Sequence, residues 1–361
     1  MDDLRGARIV VAGGGVLGAA CALGLIENGA AVVLADPAAL GDNASGVAAG
    51  MLAPALESVL DTGLGPNFKI LKQARDLWPA FIDRLGLPAG TIDRSGALWL
   101  GPPDAAGARL GRLHAVGAAA ELMSAHEAER LCPGLQAAQG AVFTPDDWRI
   151  EALPLLAVMR RVFLDKGGII VRASVVQTAR GSALLSDGSI LPADWIVLAG
   201  GHPSPQSARL APELKHLLPI KGQIIRFLAG AGPSFGPVVR SEAVYVAPGP
   251  AGAMAGATME PGASDRRCDP AVAKRLQSAA AHLFPELEDA PHQAFAGVRS
   301  ATPDGRPLVG PSRAPGVLLA TGARRNGWLL ATLVAQMIVA HASGDCTGEP
   351  ADAFWASRFG D

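Results

Sequence analysis

Arg8-Ile9-Val10-Val11-Ala12-Gly13-Gly14-Gly15-Val16-Leu17-Gly18 is the stretch that decides the fold. The apolar run Ile9 to Ala12 reads as a strand and runs straight into a G-x-G-x-x-G pattern. A small-residue helix follows from Ala19 to Asn28, Gly29 breaks it, and Ala31 to Ala35 reads as a second strand ending in Asp36. The three glycines of the pattern act differently. Gly13 makes the tight turn, Gly15 lets a pyrophosphate approach the backbone, and Gly18 lets helix and strand pack closely. The helix N-terminus offers free N–H groups and the positive end of a dipole to the phosphates. Asp36 stands where an acid accepts hydrogen bonds from the adenosine ribose and disfavours a 2′-phosphate. A G-x-G-x-x-G alone says little in a glycine-rich chain; framed by strand, helix and acid, it reads as a dinucleotide-binding βαβ unit.

Outward from that unit, 361 residues suggest about two domains. A hydrophobic share of 49% excludes a disordered chain, and a formal charge of −2 with no single-sign block argues against a nucleic-acid surface. No basic n-region and apolar h-region precede the first strand, so secretion is not expected. No apolar run reaches about 18 residues; the nearest, Trp328 to Ala340, suits a buried helix and no membrane span is expected. Cys21, Cys132, Cys268 and Cys346 are far apart, as in a cytoplasmic protein with free thiols. Histidines and cysteines show no zinc-type spacing, so no metal site is expected.

Helical periodicity is expected over Phe68 to Leu85, Ser124 to Leu131, Glu151 to Lys166 and Ala271 to Phe284. Short strands are expected at Gly96 to Leu100, Ala141 to Phe143 and Gly168 to Val171, with a hairpin from Ala183 to Ile190 around Asp187-Gly188. Trp195 to Ala199, ending at Gly200-Gly201, reads as a buried strand of the nucleotide sheet. From Pro219 the pattern turns to alternating strands, Gln223 to Phe227, Ala243 to Val246 and Ala253 to Thr258, before a last strand, Val317 to Thr321, and a closing helix. The strand types interleave, so a sheet domain with a mostly antiparallel domain inserted in it is expected.

Four further segments bear on chemistry. Asn43 to Pro54 is nearly chargeless and small-residue rich, suited to close backbone approach by a flat ligand or equally to an ordinary loop. Pro219-Ile220-Lys221-Gly222-Gln223 says only that a turn precedes a strand. Gly297 to Pro307 places Arg299 in apolar surroundings before a Pro303-Asp304-Gly305 turn. An arginine there either forks onto a substrate carboxylate or pairs with a distant acid. In Ala320 to Leu330 a strand ends in a turn and a helix starts near Gly327, whose N–H groups could face developing negative charge.

Taken together, these segments resemble the D-amino acid oxidase family of FAD enzymes, most closely its glycine oxidases of thiamine biosynthesis. The resemblance spans nearly the whole chain. It rests on the N-terminal fingerprint, A-S-G-V-A-A-G-M-L-A-P at Ala44 to Pro54, K-G-Q at Lys221 to Gln223 and V-Y-V-A-P at Val244 to Pro248. It continues through G-A-T-M-E at Gly256 to Glu260, G-V-R-S-A-T-P-D-G-R-P at Gly297 to Pro307 and R-N-G-W-L-L-A at Arg325 to Ala331.

The resemblance implies an α/β, Rossmann-like FAD-binding domain of the glutathione-reductase type, discontinuous over 1–88, 150–216 and 297–361. An α+β substrate domain on a mostly antiparallel sheet would take 89–149 and 217–296. It implies noncovalent FAD: where related enzymes carry a flavin-linked cysteine near the P-D-G turn, this chain has Ser300 and Ala301. Gly13, Gly15, Val16, Leu17, Gly18 and Asp36 would hold the ADP half, with the Val175 main chain facing the adenine. Asn43, Ala44, Ser45, Gly50, Met51, Leu52, Gly200, Asn326, Gly327 and Trp328 would complete the cofactor site. Arg299 and Tyr245 would clamp the substrate carboxylate, and Arg325 would reach the substrate or the flavin edge. The implied reaction is oxidative deamination of glycine or another small D-amino acid to keto acid, ammonia and H2O2, with O2 as the acceptor. A dehydrogenase using another acceptor, and an FAD-bound protein without amine turnover, are the rival readings. The preferred amine and a homo-oligomeric state stay open. Three departures stand out: Ala323 replaces the usual histidine before R-N-G, Gly201-His202-Pro203-Ser204 lacks the usual aromatic, and Ala247-Pro248-Gly249-Pro250 lacks the usual basic residue.

Overall fold

The computed structural model describes residues 4–60, 65, 67–137, 140–202, 209–345 and 351–359. Two large sheets carry the fold. The first has six strands in the order Leu308–Pro311, Val317–Thr321, Trp195–Leu198, Arg8–Ala12, Ala31–Ala35 and Ile169–Val171. All are parallel except Leu308–Pro311, which runs antiparallel to its neighbour. The central strands are buried along nearly their whole length, because helices lie on one face and a small sheet covers the other. That covering sheet joins Val175–Ala179, Ser182–Leu185 and Ile190–Pro192, so the expected hairpin gains a third strand.

On the helical face, Val16–Glu27 packs against the closing helix Gly327–Ser343 and against Ala152–Asp165. Small residues make that approach possible: a Cβ on Gly24 would meet Val339 Cγ2 at 3.1 Å. Val11, Leu34, Val197 and Leu318 are fully buried in the sheet, each contributing about 1.5–3 kcal/mol by leaving water.

The second sheet has nine strands and is mostly antiparallel. It runs Glu260–Pro261, Leu218–Phe227, Met254–Gly256, Tyr245–Ala247, Val238–Arg240, Ala97–Leu100, Ala141–Thr144 and Glu121–Met123, with His292–Ala301 alongside Leu218–Phe227. Only Val238–Arg240 and Ala97–Leu100 pair in parallel. The expected division of the chain at 296/297 falls inside the strand His292–Ala301, which pairs over ten residues without interruption.

Several elements differ from expectation. Phe68 to Leu85 forms two helices, Phe68–Asp76 and Trp78–Arg84, because Pro79 lacks the N–H that a continuous helix needs. Lys221-Gly222-Gln223 follows no turn but lies inside the strand Leu218–Phe227. Pro103–Ala115 is a helix that periodicity does not announce, since Gly107 and Gly111 interrupt its pattern.

Candidate active site

The glycine-rich turn lies at the C-terminal edge of the parallel sheet, where doubly wound folds bind ligands. Gly13 sits at φ +107°, and a Cβ there would come within 2.6 Å of the Ala199 carbonyl oxygen. A Cβ on Gly15 would meet Ser45 Oγ at 3.1 Å, so the turn is closed to side chains and open to a ligand. The first helix makes its first backbone bond from Ala19 to Gly15, which leaves the preceding N–H groups for other acceptors. Ser45 Oγ takes one of them, the Val16 N–H, at 3.0 Å. Asn43 in turn accepts from the Ser45 and Gly46 N–H groups and fixes the loop that carries Ser45.

These residues wall a cavity of ≈ 470 Å³ that reaches from Gly13 and Asp36 to Ala44, Arg299 and Gly327. Asp36 is buried, and its carboxylate meets Arg160 Nη2 at 3.3 Å. The cradle fits the ADP part of FAD, since it offers backbone N–H groups without intervening Cβ atoms and an acid at the second strand's end. Val175 and Gly200 line the same cavity.

A second cavity of ≈ 300 Å³ shares Ala44 and Arg299 as walls with the first. Its floor is one face of the nine-stranded sheet. Trp99, Arg240, Tyr245, Gly256 and Ile224 stand opposite one another in a cross-strand row, so their side chains share that face. Glycines hollow the row: a Cβ on Gly256 would lie 2.7 Å from the Tyr245 hydroxyl, and one on Gly222 would overlap the Arg299 guanidinium. Burial pushes the Tyr245 phenol above its ordinary pKa, so it keeps its proton at neutral pH.

Arg299 projects from the strand His292–Ala301 toward this hollow. Its Nη1 donates to the Thr258 carbonyl at 3.3 Å and approaches Met259 Sδ at 3.5 Å. Among the described residues no carboxylate pairs with it, so the distant structural ion pair is not what holds it. Burial lowers the Arg299 pKa, with Tyr245 opposing that shift.

Glu57 carries the cavity's inner acid. Its oxygens lie 2.8 Å from Arg240 Nη1 and 3.0 Å from Arg325 Nη2, and its side chain is 8% exposed. Burial alone would raise its carboxyl pKa; Arg325 and Arg240 outweigh that and hold it down to about 2. The short helix Pro54–Leu60 presents Glu57, and Asp147 anchors that helix by accepting from the Ala55 and Leu56 N–H groups at 2.7 and 3.0 Å.

Most residues singled out by sequence therefore gather around two adjoining cavities. Gly13, Gly15, Val16, Leu17, Asp36, Asn43, Ser45, Val175, Gly200 and Gly327 line the first. Gly50, Met51, Tyr245, Arg325, Asn326 and Trp328 line the second, and Ala44 and Arg299 face both. Gly18 lines neither and serves packing: a Cβ there would overlap the Gly13 carbonyl. Leu52 also lines neither, its side chain being fully buried in the core. Trp328 donates its Nε1–H to the Ser45 carbonyl at 3.0 Å, tying the closing helix to the loop. Ala323 is buried in the wall of the first cavity, which His202 also lines; Pro203 and Ser204 lie outside the described residues. Glu57, Arg240, Asp147 and Arg160 belong to the site and carry no local sequence signal. Among the described residues no cluster of three or more His, Cys, Asp or Glu could hold a metal ion, and no helix is long and apolar enough to cross a membrane.

Comparison with known proteins bears on this geometry. The family model described as DAO, FAD dependent oxidoreductase, matches residues 8–341. A glycine oxidase of Geobacillus kaustophilus is 29% identical over 349 residues, 91% of each chain. A bifunctional protein ThiO/ThiG of Trichormus variabilis is 30% identical over 91% of this chain, which spans 52% of that longer protein. The crystal structure of a glycine oxidase from Geobacillus kaustophilus superposes with a TM-score of 0.86 at 26% identity, covering 98% of this chain and 99% of that one.

Proposed function

The chain belongs to the DAO family of FAD dependent oxidoreductases, and from that premise we propose that it oxidatively deaminates glycine or another small amino acid. The observation that carries the reading is Arg299: a half-buried guanidinium with no acid partner among the described residues, on the wall shared by the dinucleotide cavity and the amine-side cavity. The glycine-oxidase names of the relatives and the ThiO part of the bifunctional relative's name support the same reaction and its place in thiamine biosynthesis. Residues 1–88, 150–216 and the segment after 297 are read as the Rossmann-like cofactor unit and the remainder as the substrate unit, with His292–Ala301 bridging them.

The residues of the first cavity would hold FAD noncovalently: Gly13 to Leu17 at the pyrophosphate, Asp36 at the ribose, Val175 at the adenine, and Ala44 with Gly327 toward the flavin. Bound FAD supplies the two-electron acceptor, which O2 regenerates with formation of H2O2. The chain's own residues place the amine. Arg299 forks onto the α-carboxylate, and the protonated Tyr245 hydroxyl donates a further bond. Together they fix the α-carbon at the junction of the two cavities, and orientation of this kind is a large part of catalysis. Among the described residues lining the amine-side cavity there is no histidine or lysine, and the reading needs no general base beyond an amine that arrives deprotonated. Arg325 and Glu57, paired at 3.0 Å, line the same cavity. The imino acid that leaves hydrolyses to a keto acid and ammonia. Free Cys21, Cys132 and Cys268 accord with the cytoplasmic placement in this reading.

Anaerobic mixing of the FAD-loaded protein with glycine, sarcosine and D-alanine tests the proposal. Loss of flavin absorbance with at least one of them, followed by stoichiometric H2O2 once air is admitted, is the expected result. A flavin that stays oxidised with every amine tried refutes it, and bleaching without peroxide assigns a different electron acceptor.

A further inference from the structure

We propose that the segment Gly262 to Cys268 is a latch on the dinucleotide cavity, and that the contact of its Arg266 with Asp42 slows the escape of bound FAD. The inference goes beyond the proposed amine oxidation and needs only that FAD binds.

The latch starts from Lys221-Gly222-Gln223, a motif to which the amine reaction gives no part. Side chains alternate along a strand, so Lys221 and Gln223 point away from the face on which Gly222 makes room for Arg299. Both are buried. Gln223 Nε2 donates to Glu260 at 2.8 Å, and its Oε1 accepts from the Asp269 N–H at 2.7 Å. One side chain thus holds both ends of the connection between the strand Glu260–Pro261 and the helix Pro270–Leu283. Lys221 grips the middle: its Nζ meets Asp265 at 2.9 Å, and the same carboxylate oxygen accepts from the Arg267 N–H at 2.9 Å. Buried polar groups with their partners in place are costly to disturb. The base is therefore fixed, although most of the segment that it carries is exposed.

From that base Ser264 and Arg266 reach the dinucleotide cavity and line it beside Asp42. The glycine-rich turn, Asp36 and Val175 come to the same cavity from the parallel sheet and its connections, so the two sheets meet there. Arg266 Nη1 donates to the Asp42 carbonyl at 2.8 Å, and Nη1 and Nη2 fork onto the two oxygens of the Asp42 carboxylate. Single exposed ion pairs contribute little. This one has two-point geometry and a backbone bond besides, which a lysine could not reproduce.

What Arg266 grips matters as much as how. Asp42 precedes Asn43, which accepts from the Ser45 and Gly46 N–H groups, and Ser45 Oγ takes the Val16 N–H at the start of the first helix. A pull on Asp42 therefore acts on the loop that completes the cradle. With the fork broken, that loop and the latch are free to part, and the cofactor has a way out between them.

The experiment follows release of FAD from the holoenzyme, as the rise of flavin fluorescence after dilution to nanomolar protein. No amine is added, so the outcome stands apart from that of the proposed reaction. Arg266→Met and Asp42→Asn should each release FAD at least fivefold faster than wild type. The double variant should be no more than twofold faster than either, because both changes remove one contact. Lys221→Met should accelerate release at least threefold alone and less than 1.5-fold on top of Arg266→Met. Raising NaCl from 20 to 500 mM should accelerate the wild type more than Arg266→Met, since an exposed pair is screened. If Lys221→Met does not fold, the cycle between exposed Arg266 and Asp42 decides the matter. Release within twofold of wild type in either single variant, or accelerations that multiply in the double variant, overturns the inference.

Discussion

Replacing Arg299 by methionine should move catalysis and stability in opposite directions. The guanidinium's contacts are weak, a 3.3 Å bond to the Thr258 carbonyl and a 3.5 Å approach to the Met259 sulfur, so little is given up when a carboxylate arrives. A bidentate, charge-assisted pair contributes about 2–4 kcal/mol after that small loss. Removing it should therefore lower kcat/KM roughly a hundredfold for the best amine of the wild type, mainly through weaker binding. The same charge is half-buried with no acid partner among the described residues, and the part of its hydration that it loses on folding is not repaid by an ion pair. Methionine fills a similar volume beside Gly222 and Met259 without that penalty. The melting temperature should stay level or rise by a few degrees, and FAD content should match the wild type. Stopped-flow bleaching and a thermal melt on one preparation measure both quantities. A variant with kcat/KM within threefold of wild type, or one whose melting temperature falls by more than about 8 °C, would show that Arg299 is structural and refute the reasoning.

Glu57 should leave a mark on acid stability. A carboxyl held at about pKa 2 in the folded protein stabilises it fully above about pH 4.5 and loses that contribution as pH falls toward 2, amounting to about 3 kcal/mol. Urea titrations of the wild type should be steeper across that window than those of Glu57→Gln, and parallel curves would contradict the ion-pair assignment. Gly13→Ala forces a Cβ at φ +107° to within 2.6 Å of the Ala199 carbonyl; FAD retention on desalting should weaken at least tenfold, and normal retention would remove Gly13 from the cradle. Asp147→Ala strips the Ala55 and Leu56 N–H groups of their buried acceptor, which should cost about 2–4 kcal/mol in denaturant unfolding. A loss below about 0.5 kcal/mol would show that the helix carrying Glu57 needs no anchor.

How far each part of the site can be read from sequence follows from the distance over which its physics is decided. The Arg8 to Asp36 unit is legible because strand, turn, helix and acid constrain one another within thirty residues, and Gly13 and Gly18 are required by contacts inside that unit or at Ala199 beside it. Arg299 and Arg325 stand out in short segments that leave a structural role open, and Tyr245 is legible only through resemblance. The groups that set the cavity's charge are not legible at all. Arg240 and Glu57 meet across 183 residues, Asp36 and Arg160 across 124, and Asp147 reaches Ala55 across 92; no local pattern marks either end of such a pair. Glycines within strands add to the difficulty. Gly222 is read from sequence as part of a turn and Gly256 as an ordinary strand residue, yet both lie in regular pairing and act by withholding a side chain where a guanidinium and a phenol must fit. The fingerprint thus marks the dinucleotide site, while the shape of the amine-side cavity depends on where the sheet is left hollow. That hollow arises only when five strands from distant parts of the chain are laid side by side.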